Sequence, residues 1–368
     1  MAIFARVTIQ ILALLLVFLS GASQAGPTNL YVLGDSLLDS GNAFVITQNV
    51  YPLPPYAQRF SNGPVASEVL ASNLGVTAIA SQISGGTNYA TGGATSGLAN
   101  FAGIAYGGLA LPPPFTGPPN QIALLSTSNT GGLAQQVGLL SGTPPSDIGT
   151  SLILVWVGAN DLFLTSALVA SGMLPLIPDT FTMSADTAAT NVENAITSLI
   201  AAGARNFLAV NLPDLGKIPA GNDPANLLSP LWSAYTAEFN ARFLDPAFLA
   251  GLDPSINLTA FDAFELFNDA INNPLKYGFT NVTDACLPTA GPIPIAPPCA
   301  NPDEYLFWDS AHPTAAAHQL IGDLFYSAVP EPASLALIMV PLALLILRPR
   351  RRQDADRRSS RTSSRGRG

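Results

Sequence analysis

Five short apolar runs punctuate the chain, each bounded by turn-forming residues: Leu30–Leu33, Val76–Ala80, Leu152–Val157, Phe207–Asn211 and Ile256–Phe261. Runs of this length and composition predict parallel strands buried on both faces. Stretches that read as helix lie between them, at Val65–Leu74, Leu133–Leu140, Ala185–Ala202 and Leu231–Phe248. A last helix is expected from Pro313-Thr314, where proline suits the first turn, to about Ser327. Strands alternating with helices predict an α/β doubly wound sheet. Ligands of such sheets sit beyond the carboxyl ends of the strands. Ser36 follows the first strand, Asn160 follows the third, and Asp309 and His312 precede the last helix, so all four should gather at one edge. There is no internal repeat.

The two ends stand apart from this pattern. Residues 1–25 carry Arg6, an apolar run from Ile11 to Leu19 and small residues ending Ser23-Gln24-Ala25. That order reads as a secretory signal peptide cleaved near Ala25, to be removed by signal peptidase. A retained N-terminal anchor is the alternative, but the run is short for a span. After the body, residues 26–328, comes a segment 329–368. In it Val329-Pro330-Glu331-Pro332 precedes an apolar run from Ala333 to Leu347, followed by Arg348, Arg350, Arg351 and Arg352. Fifteen residues of helix span about 22 Å against a hydrocarbon core of ~30 Å, a gap that flanking residues or local thinning can close. The arginines would keep the C-terminus cytoplasmic. Pro-Glu-Pro, apolar helix and arginine cluster in this order resemble the PEP-CTERM sorting signal of Gram-negative bacteria. That resemblance implies an exosortase as processing partner, transient anchoring in the inner membrane, and export to the cell surface or beyond.

Charge narrows the partners. The chain has 368 residues, 11% charged and 48% apolar, which excludes disorder throughout. Nine of its 15 Lys and Arg lie at or beyond Arg348. Residues 26–328 hold five basic against 21 acidic residues, a net −16. Such a body repels nucleic acid. Gly (31) and Pro (32) cluster in loops such as Gly107–Asn120 and Pro288–Pro298. The second of these is bracketed by Cys286 and Cys299, the only cysteines. In an oxidising compartment they read as a disulfide, with two free thiols as the alternative. No metal site is expected, because no further Cys exists and the two His are needed elsewhere or wrongly spaced.

The chemistry lies in two segments, Gly34-Asp35-Ser36-Leu37 and Asp309-Ser310-Ala311-His312. A serine hydroxyl becomes a useful nucleophile when a base takes its proton and a third group orients the base. Ser36, His312 and Asp309 supply these parts. An oxyanion needs donors already aimed at it, and the candidates are the N–H of Ser36, a glycine N–H in Gly92-Gly93 and the amide of Asn160.

In order along the chain, four blocks resemble the GDSL, or SGNH, hydrolase family. They are Tyr31 to Asn42, Asn88-Tyr89-Ala90-Thr91-Gly92-Gly93-Ala94, Val157-Gly158-Ala159-Asn160-Asp161, and Phe307 to Thr314. Arg59-Phe60-Ser61-Asn62-Gly63 with Glu68, and Asn211 to Gly216, are similar to the branch holding plant GDSL lipases and secreted bacterial relatives. The resemblance covers roughly 29–328. It implies a flavodoxin-like, three-layer α/β/α fold with a mostly parallel five-stranded sheet, and a serine esterase or lipase without metal or organic cofactor. It also implies catalytic Ser36, Asp309 and His312, and an oxyanion hole of Ser36, Gly93 and Asn160. Short acyl esters, lipids and acylated polysaccharides are the substrate classes of the family. The Gly-x-Ser-x-Gly elbow of the α/β-hydrolases is absent from the chain.

Plainer readings stand beside these. Ser36 alone could be a turn residue or a helix cap. Asp35 reads as structural, Asp39 and Asn42 as ordering the segment after Ser36, and Asp161 as a backbone cap. His318, about 600° of helical rotation past His312, faces away from it and reads as a surface or packing residue. Trp156 and Trp308 are core candidates, Trp308 also a possible pocket wall. The functional alternative is an exported surface or matrix protein that keeps the fold with little turnover; a carbohydrate-binding module ranks last, because no aromatic row is present.

Overall fold

The computed structural model describes residues 26–76, 81–109 and 121–329. The expected signal peptide (1–25), the sorting segment apart from Val329, and most of the Gly107–Asn120 loop lie outside the described residues.

A parallel sheet forms the centre, with order β1 (Leu30–Gly34), β2 (Leu152–Trp156), β3 (Asn206–Val210) and β4 (Asn257–Phe261). Its register pairs Leu30 with Leu152, Leu152 with Asn206, and Asn206 with Asn257. β1 and β2 are buried along their whole length, which is why they are written as unbroken apolar runs. β4 is the partly exposed edge.

Four strands are thus described where five were expected. The run Val76–Ala80, apart from Val76, lies outside the described residues. Extended residues 87–91 occupy the place beside β1: the Val32 N–H donates to the Thr87 carbonyl (3.1 Å) and the Tyr89 N–H to the Val32 carbonyl (2.7 Å).

Helices cover both faces. α1 (Ala66–Leu74) packs with the final helix on one side. α2 (Leu133–Gly142), α3 (Ala159–Ala170), α4 (Pro178–Ala201) and α5 (Ser229–Arg242) cluster on the other. α6 (Ala263–Asn272) follows β4, and α7 (Ala315–Ala328) closes the body. The layers are therefore α/β/α, the doubly wound class. α7 begins at Ala315, just after the expected Pro313-Thr314: the Thr314 hydroxyl caps it by accepting from the Ala317 N–H, and Pro313 stands before the helix rather than in its first turn. The helix expected over Leu231–Phe248 ends instead at Arg242. Leu244 takes a positive φ of 54° and Pro246 cannot continue the ladder, so a separate short helix runs Pro246–Ala250. α3 is not among the helices expected from the sequence.

Two small strand pairs lie between α6 and α7. β5 (Asn281–Ala285) runs beside β8 (Tyr305–Phe307), and β6 (Thr289–Ala290) with β7 (Ile293–Pro294) makes a hairpin. Cys286 and Cys299 are bonded, Sγ–Sγ 2.02 Å, and close this hairpin at its root. No helix among the described residues is long and apolar enough to cross a membrane.

Candidate active site

The turn that carries Ser36 is set by the strand before it. A Cβ on Gly34 would stand 2.2 Å from the Trp156 carbonyl oxygen, so only glycine lets β1 leave the sheet against β2 here. In the turn, the Asp35 carboxylate accepts the Leu37 N–H (3.0 Å) and the Asp35 carbonyl accepts the Leu38 N–H (3.2 Å). The Ser36 N–H between them has no partner among the described residues.

Asp39 fixes the segment after the turn. Fully buried, it accepts the N–H groups of Gly41 (2.7 Å), Asn42 (2.6 Å), Ala43 (3.0 Å) and Gly92 (2.8 Å). Asn42 donates to the carbonyls of Asn88 (2.7 Å) and Ala90 (2.8 Å), and Asn88 donates back to Leu38 (2.7 Å). These bonds stitch the glycine block to the Ser36 turn. They also separate the two glycines. The Gly92 N–H is taken by Asp39, whereas the Gly93 N–H has no partner among the described residues and Gly93 lines the cavity beside Ser36. Gly93 has φ +83°, and a Cβ there would stand 2.6 Å from Asn100 Oδ1 and 2.8 Å from the Ala102 nitrogen.

Asn160 sits in the first turn of α3, 6% exposed, and donates from Nδ2 to Asp35 Oδ2 (3.3 Å). An amide nitrogen carries two protons, so a second remains for the cavity that Asn160 also lines. The Asp161 carboxylate accepts from the Ser96 N–H (2.9 Å) and Oγ–H (2.8 Å), joining α3 to the glycine block.

The Asp/His block reaches the same place from α7. His312 Nε2 lies 2.8 Å from Ser36 Oγ, and His312 Nδ1 lies 2.7 Å from Asp309 Oδ2 and 2.9 Å from Oδ1. Asp309 Oδ1 also accepts the N–H groups of Ala311 (2.8 Å) and His312 (2.7 Å). Phe60 backs the imidazole, with ring centroids 5.3 Å apart.

Burial alone would depress the His312 imidazolium, but the charge and hydrogen bond of Asp309, with the charge of Asp35, outweigh it and raise the pKa above its ordinary 6.5. Burial likewise opposes ionisation of Asp309, yet the charge of His312, its hydrogen bond and that of Tyr56 win and hold the carboxyl below its usual range. Burial pushes Asp35 up to about 7 and Asp161 to about 6, against the hydrogen bonds they accept.

Ser36 opens onto a cavity of about 250 Å³ with a largely apolar wall that includes Tyr51, Phe101, Tyr106, Phe163 and Trp232. A smaller space of about 30 Å³ lies on its other side, toward Pro213 and Phe267. The hairpin closed by the cysteines forms part of the larger cavity through Thr289, Gly291 and Pro292.

The residues singled out from the sequence therefore converge. Ser36, Gly93, Asn160, Asp309 and His312 line one cavity. His318 is fully buried, accepts the Ala66 N–H (3.2 Å) through Nδ1, and is pushed down to about 3 by burial, as a packing histidine would be. Trp156 is core and donates to the Asn211 carbonyl (3.0 Å). Trp308 is buried behind the cavity, and Trp232 walls it instead. Sequence reasoning missed Tyr56, whose hydroxyl donates to Asp309 Oδ2 at 2.5 Å. The only hint was its place among Tyr51, Phe60 and several prolines just before the Arg59–Gly63 block. Among the described residues, no group of His, Cys, Asp and Glu could hold a metal ion.

In chemical terms the arrangement sets a serine hydroxyl, an imidazole and a carboxylate in one hydrogen-bonded line at the edge of a doubly wound sheet. Comparison with known proteins carries this arrangement to a family. The sequence profile of the family described as GDSL-like Lipase/Acylhydrolase matches residues 30–325, most of the chain, and the chain belongs to that family. It is similar to the GDSL esterase/lipase At1g29660 of Arabidopsis thaliana, 28% identical over 328 residues that cover 81% of this chain and 86% of that protein. A second relative from the same plant, the GDSL esterase/lipase At3g50400, is also 28% identical, over 345 residues, 83% of this chain and 88% of its own length. Family membership makes the protein an ester-bond hydrolase.

Proposed function

We propose that Ser36 is the nucleophile, His312 the general base and acid, and Asp309 the group that orients the imidazole and stabilises its charged form. The observation that carries this reading is the unbroken line from Ser36 Oγ through His312 to Asp309, 2.8 and 2.7 Å. Ser36 Oγ attacks the carbonyl carbon of a carboxylic ester while its proton passes to His312 Nε2. The carbonyl oxygen becomes an oxyanion, held by the N–H groups of Ser36 and Gly93 and by Asn160 Nδ2. Neither backbone donor has a partner among the described residues, which supports the assignment and favours Gly93 over Gly92. The C–O bond then breaks, and the leaving alkoxide takes the proton from His312. Water, deprotonated by His312, attacks the acyl-Ser36 ester and frees the acid and the enzyme.

The aromatic wall supports an ester with an apolar portion, such as a lipid or acyl ester, over a wholly hydrophilic one. We further infer an exported enzyme: signal peptide 1–25, hydrolase domain 26–328, and sorting segment 329–368 with its apolar helix 333–347 and basic tail, handled by signal peptidase and an exosortase-type enzyme at the envelope of a Gram-negative bacterium. The order of charged, apolar and small residues at both ends supports this. So does the Cys286–Cys299 bond, which suits an oxidising compartment.

Hydrolysis of p-nitrophenyl esters over a range of acyl lengths tests the reading. Ser36→Ala is expected to lower kcat by several orders of magnitude with the circular dichroism unchanged. A variant that turns over at the parent rate would remove Ser36 from the mechanism.

A further inference from the structure

Asp309 holds more than His312. Its Oδ2, the oxygen nearest the imidazole nitrogen, also accepts the Tyr56 hydroxyl at 2.5 Å, from a segment 253 residues away. Tyr56 is firmly placed. Its ring meets Trp308 edge-on at 6.1 Å and packs with Leu287 and the Cys286–Cys299 bond in a small apolar cluster. Strand contacts run from this cluster to the block itself, because the Cys286 and Leu287 N–H groups donate to the Phe307 (3.1 Å) and Trp308 (2.6 Å) carbonyls. The loop beyond is tied down by Arg59, which makes a two-pronged ion pair with Glu68, and by Ser61 Oγ donating to the Pro313 carbonyl (3.0 Å).

We propose that Tyr56 is a positioning residue, a fourth member of the Ser36–His312–Asp309 line that fixes the carboxylate and sets how strongly it attracts the imidazolium; this rests on the function proposed above. Burial, then the charge of Asp309, hold the Tyr56 phenol well above its ordinary 10, so it stays protonated and donates. A donated proton disperses charge on Oδ2. Removing it concentrates that charge and makes His312 more basic, while the carboxylate loses one of its anchors.

The other groups facing the pair stay as they are in such a variant: Asp35 from the nucleophile turn, Tyr51 and Tyr106 from the cavity wall, and His318 from α7. A change in titration is then assignable to Tyr56.

The test is Tyr56→Phe, which keeps the ring, beside Ser36→Ala, with p-nitrophenyl esters as probe. The expected result is that kcat falls roughly tenfold, the size of one hydrogen bond to a charged group expressed in the rate. The acid limb of kcat/KM should move upward by about half a pH unit or more. A low-field proton NMR signal from His312 Nδ1–H should shift between parent and variant, and it reads the pair without turnover. An unchanged acid limb with an unmoved proton signal overturns the proposal, and so does a rise in KM alone, which would make Tyr56 only a cavity wall. If Ser36→Ala stays active, the function itself is wrong; if Ser36→Ala is dead and Tyr56→Phe behaves as the parent, only the role of Tyr56 falls.

Discussion

Asp35 carries a measurable cost. Its carboxyl is 1% exposed, and burial lifts its pKa from 3.8 to about 7, although the Leu37 N–H and the Asn160 amide pull the other way. Proton binding sets the sign. Below 3.8 the group is protonated in both the folded and unfolded states. Between 3.8 and about 7 the unfolded chain has released the proton and the native one keeps it, so stability is lost as pH rises through this window. The full loss above it is on the order of 4 kcal/mol, of which roughly 3 falls between pH 5 and pH 8. Asp35→Asn removes this dependence. It also sets the new amide nitrogen against the Asn160 amide it once accepted from, a mismatch of about 1–3 kcal/mol that does not vary with pH. The variant should therefore lie near parity with the parent at pH 5 and be more stable by a few kcal/mol at pH 8. Asp39, also raised by burial, is common to both proteins, whereas Asp161 and His312 interact with the Asp35 charge, so the difference reads Asp35 together with its coupling to them. Urea unfolding of parent and variant at the two pH values measures it. A stability difference that is the same at both would mean that Asp35 is ionised throughout, and the argument from burial would be refuted.

Two further outcomes are expected. Replacing both Cys286 and Cys299 by Ser releases the 13-residue loop whose hairpin walls the cavity, which should cost about 3 kcal/mol of stability and raise KM more than it lowers kcat; unaltered melting and KM would show that the hairpin holds its shape without the bond. Intact-mass measurement of the protein from its native envelope should find a chain that begins near Gly26 and ends near Ala328, and a species that still carries Arg352 would rule out C-terminal processing.

Much of the fold is legible because buried parallel strands have little compositional freedom. Leu30–Gly34 and Leu152–Trp156 have no exposed residue, so their sequences could hardly read otherwise. Helices with one clear apolar face were legible for the same reason. α3 was not: its first residues, Ala159-Asn160-Asp161, serve the site rather than the core, and local pattern cannot tell a functional first turn from a loop. The break after Arg242 was hidden because Phe243 and Leu244 continue the apolar pattern while the backbone turns away. The convergence of Ser36, Asn160 and His312 followed from topology, since all three lie at the carboxyl edge of the sheet or at the turn before α7. Tyr56 lay beyond that reasoning. No period or motif relates a tyrosine in a proline-rich loop to an aspartate 253 positions later; only the folded loop brings them together.

The same property explains why this site is built from aspartates. Five segments meet around Ser36, and buried carboxylates span four of the contacts between them. Asp39 joins the nucleophile turn to Gly92, Asp35 joins it to Asn160, Asp161 joins α3 to Ser96, and Asp309 joins the final block to Tyr56. Each faces donors on both of its oxygens. Asp39 takes four N–H groups, two on each oxygen. An asparagine would offer one acceptor and turn a donor against the remaining N–H groups, leaving buried groups unpaired. A carboxylate satisfies them all at the expense of desolvation, and that penalty appears as the raised pKa of Asp35, Asp39 and Asp161. Asp309 alone among the four is lowered, because it alone is hydrogen-bonded to a group that can carry positive charge; Asp35 feels the His312 charge without such a bond, and burial outweighs it. Its difference from the other three is therefore chemical as well as positional: they hold backbone, amide and hydroxyl groups in place, and Asp309 holds a proton-carrying ring against Ser36.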